Sequence, residues 1–256
     1  MIITIAAQKG GVGKTTTAAA IAQALTWKKK KTLLIDADAQ GSASLVYGAE
    51  DLGGGTYDLI TGKATAAELI QETPAGAIIP ASPLLDRLGI ELNNKPGRDS
   101  LLKAAITPIA GAYDFILIDT APGLGTCLIQ ALTAADCVVV PLLCDPQALS
   151  GLHNVYDTIE QVKTYCNPAL TVAAVVLTQY NARATLTRQY EGLITEQCRE
   201  MGLYLAKTRI RRGIAIQEAQ AMRENLYHYS PASNPAADYL ELIKELKLTG
   251  KGRKNG

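Results

Sequence analysis

The sequence predicts a single α/β domain in which a mostly parallel, twisted sheet carries helices on both faces. Short apolar runs rich in β-branched residues alternate along the chain with longer segments whose apolar residues have helical spacing. Near-continuous apolar strands are typical of a parallel sheet, because its strands are buried on both faces. The chain has 256 residues and no Pro-, Gly- or Ser-rich linker, so one domain with a large core fits its length. We expect this domain to span residues 1–248 and a basic, disordered tail to follow over residues 249–256.

The predicted strands and helices alternate along the chain. Apolar runs predict strands at residues 2–7, 32–36, 113–119, 137–141 and 170–179. Helix-forming composition or helical spacing of apolar residues predicts helices at residues 15–26, 101–109, 147–165 and 186–201. Residues 50–55 (EDLGGG) are the least regular stretch, and we expect them to form a surface loop.

The charge of the chain is nearly balanced, but its distribution is uneven. The formal net charge is +1, which does not indicate a polyanionic partner for the chain as a whole. Residues 183–223 hold eight Arg or Lys residues against four Glu, and residues 244–256 hold five against one. Each of these two stretches is therefore a candidate basic surface.

The cysteines and the N-terminal residues indicate the compartment. The five cysteines are odd in number, widely spaced and never in a C-x-x-C pattern, which is typical of reduced core residues. Lys9 and Lys14 interrupt the N-terminus before any apolar segment that a signal peptide needs, and no run approaches 18 apolar residues. We therefore expect a cytoplasmic protein without a membrane-spanning segment.

A glycine-rich loop lies between the first predicted strand and the first predicted helix. Gly10, Gly11 and Gly13 lack a Cβ, so the backbone there can turn tightly and approach a ligand. Its N–H groups and the helix N-terminus would cradle a phosphate, with Lys14 near the β- and γ-phosphates and the Thr15 hydroxyl on Mg²⁺. The strict G-x-x-x-x-G-K-[ST] pattern fails at its first position, and G-x-G-x-x-G fails at its third glycine. A plain glycine turn that opens a helix is the alternative.

Residues 8–17 (QKGGVGKTTT) resemble the deviant Walker A motif of the ParA/MinD family of ATPases. The resemblance implies a P-loop NTPase fold that binds ATP and Mg²⁺. It also implies that Lys9 reaches across a dimer interface to the nucleotide of the other subunit; the alternative is a solvated loop lysine. The implied nucleotide-binding residues are Lys9, Gly10, Gly11, Val12, Gly13, Lys14, Thr15, Thr16, Ile210 and Arg211.

Carboxylates follow two other predicted strands, at the edge of the sheet where ligands bind. Asp119 ends the apolar run FILID, which is the context of a Walker B carboxylate near Mg²⁺. The glycine-hinged residues 120–125 that follow would form a switch loop. Asp36 and Asp38 lie in DADAQ, which resembles the family's second motif with Ala39 in place of a proline.

The resemblance distributes roles among these groups. It assigns activation of the attacking water to Asp38, so Lys9, Lys14 and Asp38 are the predicted catalytic residues. Thr15, Asp36 and Asp119 are the predicted ligands or supports of Mg²⁺. The alternative for Asp36 or Asp38 is a helix N-cap, because GSAS follows.

Two later segments resemble the partition branch of the family, and the similarity extends over roughly residues 1–246. They are residues 177–183 (LTQYNAR) and residues 208–219 (TRIRRGIAIQEA), in which Arg211 stands where relatives have a proline. The predicted DNA-binding residues are Arg183, Lys207, Arg209, Arg211 and Arg212. The alternative is that they are solvated, or paired with Glu196, Glu200 and Glu218.

The resemblance implies a DNA partition ATPase. ATP would build a sandwich dimer that binds nonspecific DNA and associates with the nucleoid, and a ParB-type partner would stimulate slow hydrolysis and release the dimer. A ParA-like ATPase that positions another cargo, such as a protein cluster or conjugation machinery, remains the alternative.

Three further classes are less consistent with the sequence. A MinD-like membrane-cycling protein needs an apolar anchor, whereas docking on the core explains the C-terminal stripe of Tyr239, Leu240, Ile243, Leu246 and Leu248. A cluster carrier needs a second cysteine ahead of Cys127, so we expect Cys127 to be a packing residue. A Rossmann oxidoreductase would leave Lys14, Thr15 and Asp119 without a role.

Overall fold

A computed structural model describes residues 1–50 and 53–248. The predicted basic tail over residues 249–256 lies outside these described residues. The strands are β1 Ile2–Ile5, β2 Thr32–Ala37, β3 Gln71–Thr73, β4 Gly76–Ile79, β5 Phe115–Thr120, β6 Cys137–Leu142 and β7 Thr171–Leu177. The helices are α1 Lys14–Trp27, α2 Ser42–Tyr47, α3 Gly55–Thr61, α4 Ala66–Leu69, α5 Leu88–Glu91, α6 Leu101–Ala110, α7 Thr126–Ala134, α8 Ala148–Tyr165, α9 Thr185–Glu200, α10 Ile214–Ala221, α11 Leu226–Tyr229 and α12 Asn234–Glu245.

The described strands form one sheet in the order β3-β4-β2-β5-β1-β6-β7. All neighbouring strands are parallel except β3 and β4, which form an antiparallel hairpin at one edge. Asp119 of β5 is in register with Ile5 of β1 on one side and with Asp36 of β2 on the other. The carboxyl ends of the parallel strands therefore bring the glycine loop and the predicted carboxylates to the same edge.

Alternate residues of the strands enter cores on opposite faces of the sheet. Ile3 and Ile5 of β1 pack in one cluster with α1, α10 and α12. Leu33 and Ile35 of β2 pack in a second cluster with α3, α6 and α7, and α8 and α9 cover the β6–β7 end of that face. The predicted α/β fold with helices on both faces of a mostly parallel sheet is confirmed.

The predicted elements are present with shifted ends. The strand expected at residues 170–179 ends at Leu177, because Thr178 and Gln179 turn toward the glycine loop. Residues 51 and 52 of the loop expected at residues 50–55 lie outside the described residues, and the expectation is wrong at its last position, since Gly55 begins α3. At Gly55 a Cβ would lie 2.2 Å from the Pro80 carbonyl oxygen, so close packing requires this glycine. The β3–β4 hairpin and the short helices α2 to α5 were not predicted.

The C-terminal helix docks on the core, as expected. Tyr239 and Ile243 of α12, together with Leu248 just beyond it, are buried in the cluster that contains α1. Among residues 1–50 and 53–248, no helix combines the length and the apolar character needed to cross a membrane. The cysteines are free, and Cys127 packs partly buried against the α6–α7 side of the sheet.

Candidate functional site

The glycine loop joins β1 to α1 in a conformation that requires glycine at two positions. Gly11 and Gly13 have φ of 75° and 87°, in the left-handed region that other residues rarely adopt. Gly13 is the N-cap of α1 and offers no side-chain cap, so the N–H groups of the first helical turn remain available. A loop of this shape at a helix N-terminus is an anion-binding cradle.

The end of β7 fixes the far side of this loop. The Thr178 hydroxyl donates to the Val12 carbonyl at 2.7 Å, and Gln179 Nε2 donates to the Gly11 carbonyl at 2.9 Å. Both bonds engage carbonyl oxygens, which leaves the N–H groups of the loop for an anion. The predicted site did not include Thr178 or Gln179, although both lie in the segment LTQYNAR.

Gln8 connects the loop to the predicted switch loop and to α8. Its carbonyl accepts a hydrogen bond from the Gly123 N–H at 3.0 Å, and its side-chain oxygen accepts one from Asn154 Nδ2 at 2.9 Å. The strict phosphate-loop pattern has a glycine at this position, which would lack the side-chain bond. The departure from the pattern therefore adds a tether to α8.

Lys14 is buried beneath the cradle. Its ammonium donates to the Lys9 carbonyl at 3.3 Å. Burial lowers the pKa of Lys14, and the nearby carboxylates of Asp119 and Asp38 raise it in part. A phosphate group in the cradle would be a further anionic partner for this ammonium.

Asp119 is a buried carboxylate that lacks well-placed hydrogen-bond donors among the described residues. It is fully buried, and neither carboxylate oxygen accepts a hydrogen bond of normal geometry from the described residues. Burial raises its pKa to about 8 and Asp36 adds to the rise, whereas the nearby Thr15 hydroxyl and Lys14 lower it. Buried polar groups normally have partners, so this carboxylate needs a cation or a proton.

The oxygen atoms around Asp119 suit a hard cation that takes its remaining ligands from phosphate and water. Within the described chain, no group of three or more His, Cys, Asp or Glu residues forms a complete metal cage. Mg²⁺ is usually held by one or two carboxylates together with phosphate oxygens and water. One buried carboxylate and the Thr15 hydroxyl beside a phosphate cradle fit Mg²⁺ in this way.

Asp36 and Asp38 have different surroundings. Asp36 accepts hydrogen bonds from the Ser44 hydroxyl at 2.7 Å and the Ser44 N–H at 2.8 Å, so it binds the first turn of α2. Burial raises the pKa of Asp36 to about 6, and the Ser44 bonds limit the rise. Within residues 1–50 and 53–248, the Asp38 carboxylate accepts a hydrogen bond only from the Gln40 N–H, at 3.0 Å, and Gly41 separates Asp38 from α2. Gly41 is the N-cap residue of α2, so the N-cap alternative is wrong for both aspartates. Asp36 instead accepts the Ser44 N–H of the first turn from its place at the end of β2.

Lys9 lies in an ion pair within its own chain. Its ammonium is 2.6 Å from Asp145, on the segment between β6 and α8, and 40% of the Lys9 side chain is exposed. The lysine is thus neither free in solvent nor directed into the cradle of its own subunit.

A cavity of about 180 Å³ opens beside the cradle. We call it the loop cavity. It brings together four of the predicted nucleotide-binding residues: Gly13, Thr16, Ile210 and Arg211. Its other walls include Gln217 of α10, which lies in the predicted segment 208–219. They also include Gln220 of α10 and Tyr239 of α12, which were not predicted as site residues because they lie outside the recognised motifs. The apolar and amide side chains suit a flat heterocycle with polar edges.

A wider cleft of about 740 Å³ adjoins the loop cavity and shares Gln179, Arg211 and Arg212 with it. We call it the arginine cleft. Four of the five predicted DNA-binding residues line it: Arg183, Arg209, Arg211 and Arg212. Lys207 does not line the cleft, and its backbone N–H donates to Glu245.

The four arginines of the cleft are not equivalent. Arg209 pairs with Glu191 at 2.7 Å and donates to the Ala206 carbonyl, and Arg211 pairs with Asp238. These acids are not the glutamates expected as partners. In the part of the chain that the structure describes, the guanidinium groups of Arg183 and Arg212 have no hydrogen-bond or ion-pair partner.

The phosphate cradle at a strand-to-helix turn, with a buried lysine and a carboxylate on the neighbouring strand, defines a P-loop nucleotide-binding protein. A family model described as an AAA domain matches residues 1–172. The sporulation initiation inhibitor protein Soj of Bacillus subtilis is 36% identical over 253 residues, which are 97% of this chain and 99% of that protein. The chromosome partitioning protein ParA of Myxococcus xanthus is 34% identical over 252 residues, 96% of this chain and 87% of that protein.

Solved structures show the same fold. The cobyrinic acid a,c-diamide synthase of Mycobacterium smegmatis with bound ADP and magnesium has a TM-score of 0.84 and 29% identity, covering 98% of this chain and 97% of that chain. A plasmid partition protein from Borrelia burgdorferi has a TM-score of 0.72 and 25% identity, covering 95% of this chain and 97% of that chain. The chain belongs to the ParA/MinD family of deviant Walker A P-loop ATPases, among Soj- and ParA-type relatives.

Proposed function

We propose that this protein is an ATP-dependent DNA partition ATPase whose ATPase domain spans residues 1–248. The observation that supports this proposal best is the shared wall between the loop cavity and the arginine cleft. Gln179, Arg211 and Arg212 line both, so a nucleotide at one and a polyanion at the other would contact the same residues. The relatives named for chromosome and plasmid partition support the same function.

ATP and Mg²⁺ fit the site. The cradle and Lys14 would hold the β- and γ-phosphates, and the loop cavity would take the base. Asp119 and the Thr15 hydroxyl would hold Mg²⁺, which neutralises charge on the phosphates, with Asp36 in support. The orphaned carboxylate of Asp119 is the strongest support for this metal site.

In this proposal, Asp38 and Lys14 carry out hydrolysis beside the bound phosphates. Asp38 lies near Lys14 and retains an oxygen that the Gln40 N–H does not engage, so it would orient the attacking water. Lys14 would stabilise charge on the transferred phosphoryl group. Slow turnover follows if a second subunit and an external partner complete the site.

The ATP state is a sandwich dimer in this proposal. Lys9 would exchange its bond to Asp145 for the phosphates held by the other subunit. Within one subunit, Lys14 already lies beneath the phosphate cradle. A second lysine therefore has to approach the phosphates from another side, and in this proposal Lys9 does so from the other subunit.

The dimer would bind DNA through phosphate contacts. Arg183 and Arg212 are the strongest candidates, because their guanidinium groups are without protein partners among the described residues. Arg209, Arg211 and Lys207 remain weaker candidates. A ParB-type protein on the cargo DNA would stimulate hydrolysis and release the dimer, which cycles between cytoplasm and nucleoid without a membrane.

Light scattering with and without nucleotide tests the proposal. The wild-type protein should be a dimer with Mg²⁺ and a nonhydrolysable ATP analogue and a monomer with ADP. Lys14→Ala should be monomeric in both, because its phosphate affinity is lost. A wild-type protein whose mass ignores the nucleotide would contradict the proposed dimer switch.

A further inference from the structure

Arg211 and Asp238 form the most extensive side-chain pair beside the loop cavity. The Asp238 carboxylate accepts the Arg211 backbone N–H at 2.9 Å, Nη2 at 2.6 Å, and Nε at 2.9 and 3.2 Å from its two oxygens. The Asp238 side chain is 10% exposed and the Arg211 side chain 48%. Charge-assisted, bidentate bonds of this kind are among the stronger hydrogen bonds in proteins.

The pair holds a segment that has little regular structure of its own. Residues 201–213 connect α9 to α10, and their contacts with the sheet are isolated bridges. Ile210 donates to the Leu177 carbonyl at 2.9 Å and accepts from the Tyr180 N–H at 2.9 Å. Arg211 itself forms one of these bridges, with Tyr180, and the bonds from its backbone and side chain to Asp238 are a second, independent restraint on its position.

Helix α12 supplies those side chains. A Cβ on Gly213 would lie 2.8 Å from Pro235 in the first turn of α12, so the helix packs directly against the segment. One turn later Asp238 binds Arg211, and the next residue, Tyr239, lines the loop cavity and shares a hydrogen bond with Thr17 of α1 at 3.0 Å. Helix α12 therefore supports one wall of the loop cavity through Asp238 and lines the cavity directly through Tyr239.

We propose that Asp238 is a positioning residue that sets the base-binding wall of the loop cavity through Arg211. The inference rests on the proposed nucleotide site and adds a residue outside the motif. Asp238 fixes both the backbone and the guanidinium of Arg211, and Arg211 with its neighbour Ile210 faces the region beyond the cradle. The pair also engages the guanidinium of Arg211, which is why Arg211 is a weaker DNA-binding candidate than Arg183 and Arg212.

The cradle and this wall are fixed by different groups. The cradle is held by Thr178 and Gln179, which follow β7, and by Gln8, none of which bonds to Asp238. Loss of the Asp238 pair should therefore weaken binding of the base and leave binding of the phosphate chain intact. Inorganic tripolyphosphate has the phosphate chain without the base, so it separates the two effects.

Calorimetry with ATP and with inorganic tripolyphosphate tests the inference. Asp238→Asn should lose about tenfold in ATP affinity, and its tripolyphosphate affinity should stay within about twofold of wild type. The matched control is Glu241→Gln, which removes an exposed pair with Lys244 on the same helix and should change neither affinity. An equal loss of affinity for ATP and for tripolyphosphate in Asp238→Asn would show that Asp238 has only a general structural role. An unchanged ATP affinity would show that Asp238 does not position the base-binding wall. Either result overturns the inference.

Arg211→Gln provides a second variant if Asp238→Asn does not fold, because Arg211 is half exposed. It should show the same selective loss for ATP. The double variant should lose no more than the stronger single variant, since both act through one contact. Additive losses would overturn the proposed route through Arg211. A wild-type protein that binds neither ligand would instead contradict the proposed nucleotide site.

Discussion

The ammonium of Lys9 lies 2.6 Å from the carboxylate of Asp145 in the same chain. The lysine that we propose contacts the nucleotide of the other subunit is therefore held within its own subunit in this structure. Both side chains are partly exposed, at 40% and 23%. Pairs of this exposure contribute about 1 kcal/mol or less. The contact is therefore strong enough to orient Lys9 and weak enough to exchange for a phosphate.

Lys9→Ala should bind ATP and fail to dimerise. The phosphate that Lys9 contacts belongs to the other subunit in the proposed dimer, so binding within one subunit should change by less than about threefold. Calorimetry gives the affinity, and light scattering with a nonhydrolysable analogue gives the mass. An ATP-dependent Lys9→Ala dimer of normal affinity would show that the lysine does not act across the interface.

Asp145→Asn should strengthen the ATP-dependent dimer by about two- to fivefold, because it removes a partner that competes for Lys9. The dimer dissociation constant with a nonhydrolysable analogue is the measured quantity. Glu160→Gln is the control, since it breaks a similarly exposed pair with Lys163 on α8 and should leave the constant unchanged. A weaker Asp145→Asn dimer would mean that Asp145 helps to form the interface.

Asp38→Ala and Asp36→Ala should differ in kind. Asp38→Ala should bind ATP, accumulate as a dimer and hydrolyse ATP about a hundredfold more slowly, because its proposed role is to orient water. Asp36→Ala should be less stable to unfolding by about 1–2 kcal/mol, because the N–H and hydroxyl of Ser44 in the first turn of α2 lose their acceptor. Turnover assays and urea denaturation measure the two effects. Wild-type turnover by Asp38→Ala would exclude the proposed role.

The stability of the nucleotide-free protein should fall as pH rises. Burial raises the pKa of Asp119 to about 8, above the value of 3.8 for an unperturbed carboxyl. The folded state then keeps a proton that the unfolded state has lost, so the stabilisation is complete below about pH 4 and lost as pH approaches 8. Asp36, with a pKa of about 6, contributes in the same direction over a narrower range.

Thermal unfolding without Mg²⁺ or nucleotide measures this dependence. The wild-type midpoint should decline between pH 5 and pH 8.5, and Asp119→Asn should decline less and be the more stable of the two at the upper end. Equal pH dependence of the two proteins would show that Asp119 is ionised throughout.

The sequence predicted the parts of the site that lie within one short segment. The glycine loop could be predicted because strand, turn and helix are consecutive, and Asp119 because it directly follows an apolar run. The β3–β4 hairpin was missed because β3 is a polar, three-residue edge strand with no apolar alternation to indicate it.

Local sequence patterns could not predict the role of a residue whose partner lies far away in the chain. Arg209 and Arg211 belong to one basic stretch, but their partners Glu191 and Asp238 lie 18 and 27 residues away on other helices. The sequence left an N-cap role open for both Asp36 and Asp38, whereas Gly41 is the N-cap of α2 and only the Asp36 side chain, among the described residues, bonds to the first turn of that helix. In each case the packing of helices, rather than a motif, determines which charge is free.

Arg183→Glu should weaken DNA binding in the ATP state and leave the dimer intact. The Arg183 side chain faces the arginine cleft without a protein partner among the described residues, and a phosphate contact there would be replaced by repulsion. Arg98→Glu makes the same change in net charge in the 3₁₀ turn that precedes α6, away from the cleft, and is the control. Equal loss in both variants would indicate a general effect of charge.

The most direct test of the account is retention of random-sequence duplex DNA by the wild-type protein with ATP and with ADP, across a salt series. We expect strong retention with ATP, weak retention with ADP, and a decline of log affinity with log salt of about 0.9 for each phosphate contact. Arg183→Glu should flatten that slope by about one for each phosphate contact it loses. Retention that is the same with ATP, with ADP and without nucleotide would contradict the proposed coupling between the loop cavity and the arginine cleft.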